Sequence, residues 1–105
     1  MTLPAGQTGR FVLTTQAEID LNEIWDYISR DSSDQADRVL GELAKAIKTL
    51  THQPGMGHLR VDWADRRHRF WPVYSYIIMY RYETKPLQIL RVVSGYRNLA
   101  ELLKS

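Results

Sequence analysis

Residues 74–97, YSYIIMYRYETKPLQILRVVSGYR, decide the fold. Ile77, Ile78, Met79 and Tyr80 precede a break at Glu83-Thr84-Lys85-Pro86, and Leu87, Ile89, Leu90, Val92 and Val93 follow it. β-Branched and aromatic residues dominate both halves, so the stretch is predicted to be two strands and a turn. Apolar residues occupy both alternating faces of each half, as a strand covered on two sides requires. Arg81, Arg91 and Arg97 are threaded through the same segment and pose the functional question.

Outward from this pair, the preceding residues supply what the sheet needs on one face. Ala17, Leu21, Ile24 and Ile28, with Trp25 beside them, recur at helical spacing, and Thr15 with Glu18 has the pattern of a capping box. Glu18, Asp20, Glu23 and Asp26 fall on the other side, read as a solvated acidic face without chemistry. After Asp31-Ser32-Ser33-Asp34 a second capping box, Ser32 with Gln35, opens a helix to about Thr51 whose stripe is Ala36, Val39, Leu40, Leu43, Ile47 and Leu50. The short connection makes the two helices an antiparallel hairpin. Two stripes packed only on each other would leave apolar area uncovered, so the hairpin is expected to lie on the sheet.

Pro54-Gly55-Met56-Gly57 stops the second helix. Leu59 to Asp65 carries no clear periodicity. Pro72 lacks the donor that a ladder requires and marks an edge strand or its end, and Tyr74-Ser75 turns the chain into the central pair. Residues 1–9 read as a leader, Arg10-Phe11-Val12-Leu13 as a short strand, and Asn98 with Glu101 as the start of a short C-terminal helix. One domain over 10–105 is expected from the length.

The chain has no cysteine, so neither a disulfide framework nor a thiolate metal site is available to it. His52, His58 and His68 lack metal-ligand spacing, Gly55-x-Gly57 follows a helix rather than a strand, and neither Ser75 nor Ser94 has a histidine and carboxylate placed beside it. No metal and no cofactor are expected. The start of the chain has neither a secretory pattern nor a spanning run, so a soluble cytoplasmic protein is expected. Residues 1–54 hold five Lys/Arg against eight Asp/Glu, net −3, and residues 55–105 hold nine against four, net +5. A basic second half suits an acidic partner or a polyanion, and equally an ordinary solvated surface. Arg69, Tyr80, Arg81, Tyr82, Arg91, Tyr96 and Arg97 form the set that could bind or cleave RNA, or instead brace the sheet. For Arg91 the bracing role is favoured; Arg97, just past the strand, stands where a binding residue belongs.

Asp20-Leu21-x-x-Ile24-Trp25-x-Tyr27-Ile28, Pro54-Gly55-Met56-Gly57, Tyr76-x-Ile78-x-Tyr80-Arg81 and Leu90-Arg91-Val92-Val93-x-Gly95-x-Arg97, in this order, resemble the ParE/RelE superfamily of bacterial toxins from two-gene toxin–antitoxin systems. The resemblance spans about Phe11 to Leu99. It implies an α+β fold, a helical hairpin against a small antiparallel sheet with an N-terminal strand and a short C-terminal helix, and an antitoxin that wraps the toxin. The RelE-like branch cleaves messenger RNA on the ribosome with lysines and arginines on the sheet and a tyrosine in the tail. Here the corresponding strand reads His68-Arg69-Phe70-Trp71-Pro72 without lysine, Ile77 stands where another arginine would, and no tyrosine follows Arg97. The chain is more similar to the ParE branch, which inhibits DNA gyrase by binding. Arg81, Tyr96 and Arg97 are then the expected target-binding residues, and Trp63 and Trp71 the candidate antitoxin anchors, with Trp71 also a core candidate. The alternative is an endoribonuclease with a divergent site, in which Arg69, Arg81 and Arg97 supply charge and Tyr80 or Tyr96 assists.

Overall fold

The structure, a computed structural model, describes residues 11–95. Its elements are β1 (Phe11–Leu13), α1 (Thr15–Ser29), α2 (Ser33–His52), a 3₁₀ turn (Pro54–Met56), β2 (His68–Val73), β3 (Tyr76–Arg81) and β4 (Leu87–Ser94). The sheet order is β1-β4-β3-β2. β2, β3 and β4 run antiparallel as expected, whereas β1 adds alongside β4 in parallel, so the sheet is mixed. The leader at 1–9, Arg10, Tyr96, Arg97 and the C-terminal helix expected from Asn98 lie outside the described residues.

The helical hairpin covers one face. Leu21 and Ile24 of α1 and Val39, Leu40, Leu43, Ile47 and Leu50 of α2 are buried with Ile78, Tyr80, Leu87, Ile89 and Val92 of the sheet. The opposite face is also apolar, with Phe70, Met79 and Val93 buried, which accounts for the double-sided pattern of the central strands.

Ser32 caps α2 as expected, its hydroxyl accepting from the Gln35 N–H at 3.1 Å. The cap of α1 is Thr14 rather than Thr15: its Oγ1 accepts from the Ala17 N–H at 3.0 Å and donates to the Leu90 carbonyl at 2.8 Å. Leu90 is the extra residue of a β-bulge, because Met79 pairs with Arg91 and Tyr80 with Ile89. The bulge carbonyl is a long-range partner that local capping patterns do not contain, and it selects Thr14.

β2 is an edge strand, as Pro72 indicated, and its outer side is closed. Phe70 exchanges both backbone bonds with His58 at 2.7 and 2.9 Å, the His68 N–H donates to the Asp65 carbonyl at 3.2 Å, and Pro72 has no N–H. The segment before β2 thereby protects the edge against strand addition. Tyr74 and Ser75 make the two-residue turn to β3, with Tyr74 at φ 54°, in the left-handed region uncommon for a residue with a side chain. Among the described residues no helix is long and apolar enough to cross a membrane.

Candidate functional site

Arg91 braces the fold. Its Nε and Nη2 donate to Asp20 Oδ2 and Oδ1 at 2.9 and 3.1 Å, and the Val92 backbone N–H donates to Asp20 Oδ2 at 3.0 Å. Asp20, expected on the solvated side of α1, is instead 5% exposed, since a carboxylate with four donors, the fourth being Gln16 Nε2 at 3.0 Å, can be buried where a free one cannot. Hydrogen bonding to Asp20 in turn raises the Arg91 guanidinium above its ordinary value.

Tyr80 is fully buried on the hairpin face. Its hydroxyl donates to the Pro54 carbonyl at 2.6 Å and accepts from the Gly57 N–H at 2.9 Å, and burial pushes the phenol pKa up. It therefore pins the stop after α2 to β3 and has no free position from which to assist cleavage, contrary to its place in the ribonuclease alternative.

Arg69 and Arg81 do not converge. Arg69 pairs in register with Tyr80, whose neighbour Arg81 points to the opposite face. On the hairpin side, Arg69 lies 4.0 Å over the Tyr82 ring and donates to the Arg66 carbonyl at 2.9 Å. On the other face Arg81 sits opposite His68 of β2 and Gln88 of β4.

The two tryptophans are also divided by β2. Trp71 is half-buried against the core, stacks on His58 with ring centroids 5.7 Å apart, and forms with Lys45, Ala46, Met56 and Val73 a groove of about 340 Å³ between α2 and the edge strand. Trp63 meets Phe70 edge-on at 5.0 Å on the far side and carries the Arg60 guanidinium 3.7 Å over its ring. A second groove, of about 760 Å³, lies between α1 and the β3–β4 end and was not anticipated. Glu23, Asp26, Tyr27, Tyr76 and Ser94 line it, with Tyr27 exposed. Its residues were visible in the sequence only separately, Glu23 and Asp26 as the acidic side of α1 and Tyr27 and Tyr76 within two different motifs. No three metal-ligating side chains gather among the described residues.

A family model described as the ParE toxin of the type II toxin–antitoxin system, parDE, matches residues 11–99. The chain belongs to the ParE toxin family. A solved structure described as the chromosomal ParDE TA system from P. aeruginosa is similar in fold, with TM-score 0.67 and 22% identity over 80% of this chain and 92% of that one. No curated protein matches. The motifs that carried the ParE resemblance turn out to be contact partners: the α1 motif meets the β4 motif through Asp20 and Arg91, and Gly57 meets Tyr80. They specify contacts internal to the ParE architecture.

His68 gives the ParE-family sheet a titratable edge. Burial lowers its pKa below 6.5, with Arg67 and Arg81 acting in the same direction and Asp65 against them. As pH falls, the unfolded chain takes up this proton first, so the stability held by neutral His68 is complete above about 6.5 and lost below it, at no more than about 1.4 kcal/mol per pH unit for one group. Urea midpoints between pH 7 and 5 should therefore fall more steeply for the wild type than for His68→Gln; equal slopes would show that His68 does not contribute.

Proposed function

We propose that this chain is a non-catalytic toxin that arrests growth in the cytoplasm by binding a target protein, DNA gyrase, and is neutralised by a cognate antitoxin. The observation that carries this reading is the dispersal of the groups a nuclease would gather. Arg91 is committed to Asp20, the Tyr80 hydroxyl is committed to backbone, and Arg69 and Arg81 emerge on opposite faces. Phosphodiester cleavage needs a base, an acid and stabilisation of the developing anion at one place. Binding has no such requirement.

The target-facing surface is the end of the sheet leading to Tyr96 and Arg97, with Arg81 a second contact at the opposite end of the β3–β4 pair, across from Gln88. The antitoxin contact is the groove beside Trp71, where an apolar anchor would meet Met56, Ala46 and Val73. Trp63, on the other side of β2, is the second antitoxin contact if the partner wraps the edge.

Arg97→Ala is expected to remain folded and to bind gyrase about tenfold or more weakly, the scale of an interface arginine worth ~1.4 kcal/mol or more. Growth arrest, thermal melting and pull-down of purified gyrase are compared at equal soluble expression. Undiminished arrest would remove Arg97 from the mechanism. Primer extension on transcripts after induction tests the chemistry: cuts within translated codons would replace the binding reading by the endoribonuclease one, whereas intact messages with DNA-damage signalling support gyrase.

A further inference from the structure

Among the described residues, several arginines have visible partners and Arg81 does not. Arg91 is held by Asp20, Arg60 by Asp62, Arg67 by Asp65, and Arg69 by two carbonyls and the Tyr82 ring. Arg81 is half-buried, yet its Nε is enclosed and has no hydrogen-bond partner. Its cross-strand neighbours offer no counter-ion. Gln88 is uncharged, and His68 carries an enclosed Nδ1 that also makes no hydrogen bond, lying 3.2 Å from Asp65 Oδ1 but out of alignment. Asp65, the nearby carboxylate, already accepts from the Nε, Nη2 and backbone N–H of Arg67. A partly desolvated guanidinium without a counter-ion weakens the fold, and its terminal nitrogens, unlike Nε, are not enclosed, so an anion supplied from outside would meet Arg81 through them.

We propose that Arg81 is a receptor for a single carboxylate, an Asp or Glu side chain of the protein that this toxin inhibits. The proposal deepens the binding reading above and rests on it for the identity of the partner. Met79 and Phe70 on the same sheet face are buried, so the contact with an acidic side chain is made by the guanidinium itself. A nucleic-acid strand fits worse: tracking a phosphate backbone takes a run of available cations. Here Arg67 is occupied by Asp65, and Glu83 lies close enough to act on Arg67. A single carboxylate brings one negative charge past Asp65 and Glu83, where a phosphate backbone brings several.

The test compares wild type with Arg81→Met in three measurements. In the free protein, Arg81→Met should raise Tm by about 4 °C or more, as expected when a small domain loses an uncompensated charge. Titration with acetate should shift the Arg81 Nε–Hε resonance of the wild type, and a short single-stranded RNA should not shift it further at equal charge. Pull-down of purified gyrase should weaken about tenfold or more for the variant. A lower Tm for both Arg81→Met and Arg81→Gln would make Arg81 a structural brace and overturn the proposal. So would an acetate-insensitive Nε–Hε, or a larger response to RNA than to acetate. If wild-type protein does not bind gyrase, the toxin's target is wrong, while the melting and acetate results still decide whether Arg81 receives a carboxylate.

Discussion

Asp20→Ala is expected to lower stability by about 3–5 kcal/mol, the cost of removing one partner from a buried ion pair and stranding the other. Against a total of about 5–15 kcal/mol for a domain of ordinary stability, that is a large fraction. Two groups are orphaned at once: the Arg91 guanidinium and the Val92 N–H, which sits in the strand beside the α1 helix. Urea denaturation should show an early midpoint with an unchanged slope. A loss below about 1 kcal/mol would mean that solvent replaces the carboxylate and that the pair is a surface one.

The companion variant tells stranding apart from bracing. If the loss comes mainly from leaving Arg91 unpaired, Asp20→Ala combined with Arg91→Met should recover most of it, and the cycle should show a coupling well outside additivity. If the loss comes from unpinning α1, recovery should be small, because Val92 N–H remains without a partner in the double variant. The answer bears on function. Thr14 and Asp20 fasten α1 on either side of the β4 bulge, and β4 is the strand that runs on to Gly95 and the end proposed to face the target. Loss of toxicity in Asp20 variants is therefore expected to follow loss of folded protein.

Local signals were sufficient for much of this fold. Periodicity and Pro54-Gly55-Met56-Gly57 located both helices, the break at Glu83-Thr84-Lys85-Pro86 separated β3 from β4, and Pro72 marked the edge. What escaped was settled by partners distant in the chain. Thr14 won over Thr15 through a bond to Leu90, 76 positions away, and Asp20 left the solvated face through Arg91, 71 positions away. β1 is three residues long and pairs in parallel, and nothing within three residues encodes direction. The segment from Leu59 to Asp65 lacked periodicity because it is held by pairs rather than by a regular ladder, with Arg60 over Trp63 and bonded to Asp62. The site was less legible than the fold: the quoted motifs encode internal contacts, and the arrangement of Arg69 and Arg81 on opposite faces follows from register, which a single sequence specifies only weakly.

Tyr80→Phe and Gly57→Ala are the second pair of substitutions with a large expected effect, and they should not be additive. Tyr80→Phe keeps the buried ring but leaves the Pro54 carbonyl and the Gly57 N–H without their partner, at about 1–3 kcal/mol. Gly57 is required for space rather than for its backbone angles, which at φ −69° and ψ 165° suit any residue. A Cβ there would meet the Tyr80 hydroxyl and come within 2.9 Å of Cε1, so Gly57→Ala must displace a ring that is packed on all sides, at about 1–3 kcal/mol. The closest contact is with the hydroxyl, and Tyr80→Phe removes that atom. In the double variant the added methyl then meets only the ring edge, and the total loss should fall short of the sum of the single losses by about 0.5 kcal/mol or more. Urea unfolding of the four proteins measures the coupling. Additive losses would mean that the segment after α2 gives way to accommodate alanine, and that the Tyr80 clasp is looser than its 2.6 and 2.9 Å bonds indicate.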